Sequence, residues 1–151
     1  MKTFKIRDLM VPLSKYATVK EDATLQDVAA ALEDAQSRFD RSRYPHLAVL
    51  VINDQGNVVG KVGQIDILRA LEPKYDELGQ PSSRLHTGFS REFLKSLMEH
   101  HQLWQAALQD ICSKAADRKV KTFMVAPSEG EFVDESASLD EAIHQLVMGR
   151  H

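Results

Sequence analysis

Residues 5–32, KIRDLMVPLSKYATVKEDATLQDVAAAL, lie without a gap over residues 119–146, KVKTFMVAPSEGEFVDESASLDEAIHQL, at an offset of 114. No other feature of the chain constrains its fold as strongly, because a repeat this long means one supersecondary unit written twice. Met10 meets Met124, Val11 meets Val125, Val19 meets Val133, Leu25 meets Leu139 and Leu32 meets Leu146. The physics repeats with the letters. Leu25, Val28, Ala29 and Leu32 stand at i, i+3, i+4 and i+7, as do Leu139, Ala142, Ile143 and Leu146, so each run predicts an amphipathic helix. Each helix opens on a capping-box pattern, Thr24 to Asp27 and Ser138 to Glu141.

The first repeat continues past its helix. A polar connection carrying Arg38, Arg41, Arg43 and His46 leads into an apolar strand, LAVLVI (47–52). NDQGN then reads as a turn, VVGKV as a second strand, and residues 64–72 as a helix that stops at Pro73. The order strand, helix, strand, strand, helix predicts an α/β fold of the α+β type. The second repeat ends at His151, just after its helix, without a hairpin of its own. One strand and one helix cannot bury a core alone, since units below ~40 residues need outside support. That half-repeat is therefore either a truncated fragment or a piece that docks on the first repeat or on a partner chain. Between the repeats, YDELGQPSSRLHTG predicts a loop and residues 89–117 a single long helix. Leu94, Leu97, Met98, His101, Trp104, Leu108, Ile111 and Ala115 share one face of it. Such a face packs on its own module or on a dimer mate, or serves as a swapped regulatory arm.

Composition removes several functions. The formal net charge of −3 argues against a nucleic-acid binder, which carries a basic excess. LAVLVI is too short to span a bilayer, and MKTFKIRD has no signal-peptide core. The single cysteine, Cys112, fits a reducing compartment, so a cytoplasmic location is expected. It lies in a helical segment on the side read as apolar, with no motif marking a nucleophile. His100 and His101 are neighbours on a helix, ~100° apart, and cannot chelate as an i, i+4 pair does. GKVG lacks the spacing of a phosphate-binding P-loop, and no zinc spacing or catalytic triad is present. The expectation is a protein that is not an enzyme and needs no cofactor.

The segments IRDLMVP, YATVKEDATLQDVAAAL, PHLAVLVIND and QGNVVGKVGQIDILRAL, in that order, resemble the cystathionine-β-synthase (CBS) domain. The resemblance covers residues 4–75 as a full copy and 118–151 as the front half of a second, as in a tandem pair, or Bateman module. Residues 76–117 form a long helical insertion. The resemblance implies a regulatory role: an adenosine-containing ligand (AMP, ADP, ATP or S-adenosylmethionine) bound between paired copies, its state passed to an effector protein. It implies a homodimer and no membrane insertion. By position, Thr18 and Val19 would lie along the adenine, Tyr44, Pro45 and His46 would wall the cleft, and Asp66 would accept the ribose hydroxyls.

Four features carry two readings each. Gly63 stands where the family has Ser or Thr. It keeps a tolerable N-cap and a backbone N–H for an anion, but loses a hydrogen bond worth ~0.5–1.5 kcal/mol. Asp66, three residues on, is either the ribose contact or the acidic member of a helix cap. Lys61 supplies phosphate charge or is a solvated edge residue, and the arginines near residue 40 face a polyphosphate or merely solvate a connection. The rival to a ligand sensor is a ligand-free oligomerisation module with the inserted helix as its interface.

Overall fold

The computed structural model describes residues 4–37, 47–77 and 90–149. A helical turn, α1 (Ile6–Leu9), precedes strand β1 (Thr18–Lys20) and helix α2 (Leu25–Ser37). Strands β2 (Ala48–Ile52) and β3 (Val58–Gly63) follow, then α3 (Gln64–Leu71) and a further turn, α4 (Lys74–Glu77). β1 runs parallel to β2 with Thr18 opposite Leu50, and β2 runs antiparallel to β3 with Val51 opposite Gly60. The predicted α/β order is thus present, as a three-stranded sheet in the order β1-β2-β3. The turn between β2 and β3 is built by Asn53, whose Oδ1 accepts the N–H groups of Gln55 (3.0 Å) and Asn57 (2.9 Å). Gly56 supplies the left-handed residue there, at φ 82°.

Alternation on the strands sends Val49, Val51 and Val62 to one face, where α2 covers them with Val28 and Leu32. The cap of α2 is the expected one: the Thr24 N–H donates to Asp27 Oδ2 (2.8 Å), and the Asp27 N–H donates to Thr24 Oγ1 (3.3 Å). The Thr24 N–H, then its hydroxyl, hold the Asp27 carboxyl below the ordinary range, and Ser138 does the same for Glu141 at the start of α7 (Leu139–Gly149). A carboxyl lowered in the folded state contributes stability that is complete above its unfolded value near ~4 and is lost as pH falls through the folded value. Melting curves from about pH 6 to about pH 3 should therefore fall on the acid side. An Asp27→Asn, Glu141→Gln double variant, which removes the titrating groups themselves, should flatten that limb; an unchanged acid limb would remove the caps as its cause.

The second repeat is interlocked with the first. Val120 N–H donates to Ala23 O (2.9 Å), and Ile6 N–H donates to Ala137 O (3.0 Å). Leu25 N–H donates to Arg118 O (2.8 Å), and Leu139 N–H to Phe4 O (3.0 Å). The offset of 114 carries each bond of these pairs onto the other, so the leading residues of each repeat run beside the helix start of its mate. Val120 consequently sits at 0% exposure inside the core of the first repeat. Further on, Val125 and Lys61 exchange both backbone hydrogen bonds (2.9 and 2.9 Å), joining the second repeat to the free edge of β3. The half-repeat docks on the first repeat. Residues 132–134, counterparts of β1, do not form a strand, because no β2 lies beside them to complete a ladder.

The inserted segment departs from the single helix expected. It forms α5 (Arg91–His100) and α6 (Leu108–Ala115), separated by a turn in which Gln102 and Trp104 take φ 51° and 56°. Tertiary contacts hold that turn against helix propensity. Trp104 N–H donates to Glu72 Oε2 (2.9 Å), Trp104 Nε1–H to Tyr75 Oη (2.9 Å), and Lys74 Nζ to Gln102 O (2.8 Å). Leu103 is buried at the break. Ile111 and Ala115 are buried as the helical face predicts, whereas Leu94, Met98 and Leu108 are exposed. Cys112 is exposed, not on the buried side of α6. Among the described residues no helix is long and apolar enough to cross a membrane.

Candidate functional site

Helix α3 begins where β3 ends, and its first turn faces the leading segment of the second repeat. Asp66, Arg69 and Ala70 from α3 meet Thr122, Phe123, Met124 and Val125 around a cleft of about 200 Å³. The cap and the cleft share one carboxylate. Gly63 N–H donates to Asp66 Oδ2 at 2.8 Å, so the helix-cap reading is realised at that oxygen. Oδ1 accepts no hydrogen bond among the described residues. Arg69, one turn further on, likewise has no ion pair or hydrogen bond for its guanidinium among them. Thr122 Oγ1 donates to Lys119 O (2.7 Å), which fixes the hydroxyl and leaves its lone pairs available. A carboxylate, a guanidinium and a hydroxyl thus border a wall of Phe123, Met124 and Val125. That set can accept paired hydroxyls, face an anion and shelter a flat apolar ring. It is a binding chemistry; no group of three metal-binding side chains occurs among the described residues.

Gly63 itself is extended, at φ −90° and ψ 175°. A Cβ there would meet Asp66 Oδ2 at 3.5 Å, an ordinary contact, so glycine is not sterically required. Gly60 is: a Cβ on it would stand 2.5 Å from Met124 Sδ. The glycine lets the cleft wall approach the sheet.

Of the sequence-predicted residues, Asp66 lines the cleft, and Gly63 reaches it only through its N–H bond to the Asp66 carboxylate. Thr18 and Val19 lie in β1, opposite Leu50 and Val51, and are not among the residues lining it. Tyr44, Pro45 and His46, with Arg38, Arg41 and Arg43, lie outside the described residues. Lys61 is neither a lone edge lysine nor a free phosphate charge: its ammonium forms an ion pair with Glu131. Sequence reasoning missed Arg69 and Thr122–Val125. The repeat held the signal, since Lys119–Val125 lies over Lys5–Val11, but the exchange of leading segments is a tertiary fact.

A larger groove of about 500 Å³ lies elsewhere. The outer face of the hairpin (Leu50, Val58, Lys61) forms one side and α7 (Leu139, Ile143, Leu146) the other.

The CBS domain family profile matches residues 6–73. No curated protein matches the chain by sequence. Among solved structures, the CBS-pair protein CBSX2 from Arabidopsis thaliana is 18% identical, covering 97% of this chain and 75% of its own at a TM-score of 0.57. CBSX2 has also been solved in complex with AMP, and that structure is 18% identical over 98% of this chain and 77% of its own, at a TM-score of 0.54. The CBS domain of a CBS-domain-containing membrane protein from Sphaerobacter thermophilus is 19% identical, over 98% and 73%, at a TM-score of 0.60. Sequence and fold therefore agree: residues 6–73 match the CBS domain, and the chain has the fold of the CBS-pair proteins.

Proposed function

We propose that this protein is a regulatory, non-enzymatic module that binds an adenosine-containing ligand in the Asp66 cleft and passes its state to an effector protein. The carrying observation is Asp66 itself, which lines a cleft shared by both repeats and whose Oδ1 accepts no hydrogen bond among the described residues, in a fold that a similar protein has in complex with AMP. The carboxylate accepts the two ribose hydroxyls, as neighbouring O–H donors require. Because the Gly63 N–H already serves Asp66, a phosphate at this helix start meets the N–H groups of Gln64 and Ile65. Thr18, Val19, Tyr44, Pro45 and His46 are the further ligand contacts that the family resemblance assigns. The organisation is a CBS unit over 4–75, an insertion over 76–117, and the front of a second unit over 118–151, working in the cytoplasm.

The test is a melting screen with AMP, ADP, ATP and S-adenosylmethionine. A ligand at about 100 times its Kd adds about 2.7 kcal/mol to stability. Asp66→Ala should abolish that gain while lowering the free protein by only about 0.5–1.5 kcal/mol, the net value of one hydrogen bond. Gly63→Ser, which the backbone accommodates, should strengthen the ligand response by restoring a hydroxyl at the helix start. No shift with any of the four ligands would overturn the sensor reading.

One observation favours the rival, a ligand-free homodimer. Phe93, Leu94 and Met98 are exposed together on α5. Under that reading Leu94→Lys converts a dimer to a monomer in sedimentation while ligands do nothing.

A further inference from the structure

From Arg91 to Ala116 the chain holds neither glycine nor proline, and Leu94, Leu97, His101, Trp104, Leu108 and Ile111 follow alternating steps of three and four. Such a run favours one continuous helix. The structure stops it after His100 with a terminator that the sequence does not encode. Gln102 N–H donates to Glu99 O (3.3 Å) and Leu103 N–H to Met98 O (2.9 Å), the paired bonds of a Schellman motif. The motif needs a left-handed residue, ordinarily glycine, and here Gln102 fills the place at φ 51°. Trp104 is left-handed as well, at φ 56°, a conformation that bulky side chains rarely take. Two left-handed residues in three, neither of them glycine, are held from outside.

The holding groups are Glu72, Lys74 and Tyr75, whose three hydrogen bonds all end on Gln102 or Trp104. Glu72 is the charged residue buried among the described ones, and its carboxylate accepts the backbone N–H of Trp104. In a continuous helix that N–H would bond to the carbonyl of His100 instead. Likewise the Gln102 carbonyl, which accepts Lys74 Nζ, would accept the N–H of Ala106. Latch and helix therefore compete for the same backbone groups. We propose that the insert is a two-state element: Glu72, Lys74 and Tyr75 latch it as two helices, and their release joins α5 and α6 into one helix over residues 91–115. Ile111 and Ala115 are buried, Ala115 against Leu25 and Ala70, so α6 stays docked and α5 is the part that swings. Release brings Leu94, Leu97 and Leu108 onto one stripe about 21 Å long. Glu72 also caps the C-terminus of α3, its N–H donating to Arg69 O (3.2 Å). The latch thus stands at one end of the helix whose first turn carries Asp66, yet its bonds are those of the chain alone and do not depend on what the cleft holds.

The test reads NMR Cα shifts of residues 101–107 in the full chain. Tyr75→Phe and Glu72→Ala each remove one latch bond and should raise the helical population about two- to tenfold. Gln102→Gly favours the left-handed turn and should lower that population at least about fivefold, in the Glu72→Ala background too. Spin labels on Cys112, which is exposed, and on Leu94→Cys read the same change as a length. A continuous helix sets those positions about 27 Å apart. That distance should gain weight in Glu72→Ala and lose it again when Gln102→Gly is added. Random-coil shifts at 101–107 in the latch variants, with no helical population, would overturn the proposal, because the turn would then only fray. Left-handed shifts that persist in both variants overturn it as well. Should Glu72→Ala melt the whole chain, Tyr75→Phe, which removes only a hydroxyl, carries every comparison.

Discussion

Val120→Asp is expected to unfold the first repeat along with the second. The side chain comes from the far repeat, well beyond the last strand residue it packs on, and sits at 0% exposure among Ala17, Val28, Leu32, Val49, Val51 and Val62. A carboxylate there has no cation or donor set to meet it, and an unpaired buried charge belongs to the class of substitutions that cost above about 4 kcal/mol. That is a large share of the ~5–15 kcal/mol a domain of this size holds. Val120→Ala isolates the packing part and should cost about 1.5–3 kcal/mol, the value of fully burying a valine. Ile6→Asp, at the counterpart position, should cost much less, because Ile6 is only half-buried. Urea unfolding followed by signals from β2 and from α7 reads all three. Retention of a cooperative transition in β2 by Val120→Asp would mean the interlock is not part of the core.

Gly60→Ala is the second large effect, and its sign is decided by two opposed magnitudes. In a strand, replacing glycine with alanine ordinarily stabilises by ~0.5–1 kcal/mol through the unfolded chain. Here the added Cβ stands 2.5 Å from Met124 Sδ, 3.0 Å from Cγ and 3.3 Å from Cβ. Because the contact reaches the root of the side chain, swinging the thioether aside does not fully relieve it, and overpacking of this kind costs about 1–3 kcal/mol. The net is destabilising. Met124→Ala should rescue it, and in the double variant the Gly60→Ala step should turn neutral or favourable, giving a coupling within the ~0.5–3 kcal/mol range of touching residues. Absence of coupling would place the steric conflict elsewhere. Met124 also walls the Asp66 cleft, so Gly60→Ala should blunt ligand stabilisation even at temperatures where the protein stays folded.

What was legible in the sequence was local and periodic. The α2 stripe, the Thr24 and Ser138 caps, the Asn53–Gly56 turn and the alternation of β2 follow from spacing and turn chemistry, and all appear in the structure. The long inserted helix did not survive, because Glu72, Tyr75 and Lys74 bind the turn at 102–104 by contacts some thirty residues apart, which no periodicity encodes. Asp66 was legible as a cap, which the structure bears out, and its second oxygen is the one the proposed ligand role would use. Its neighbours across the cleft were not: Thr122 and Met124 arrive from the far repeat, and only the geometry of exchange brings them there.

That exchange also bears on how the protein is made. The first repeat has all its own strands and helices once Leu71 has been synthesised, yet its core still lacks Val120. Some fifty further residues must be added before the segment ending at Val125 is available, roughly 3–10 s at ordinary rates of translation. Throughout that interval the nascent chain presents the edge of β3 and the pit that Val120 fills. The vulnerable period of this fold lies on the ribosome, and its length is set by the inserted helices.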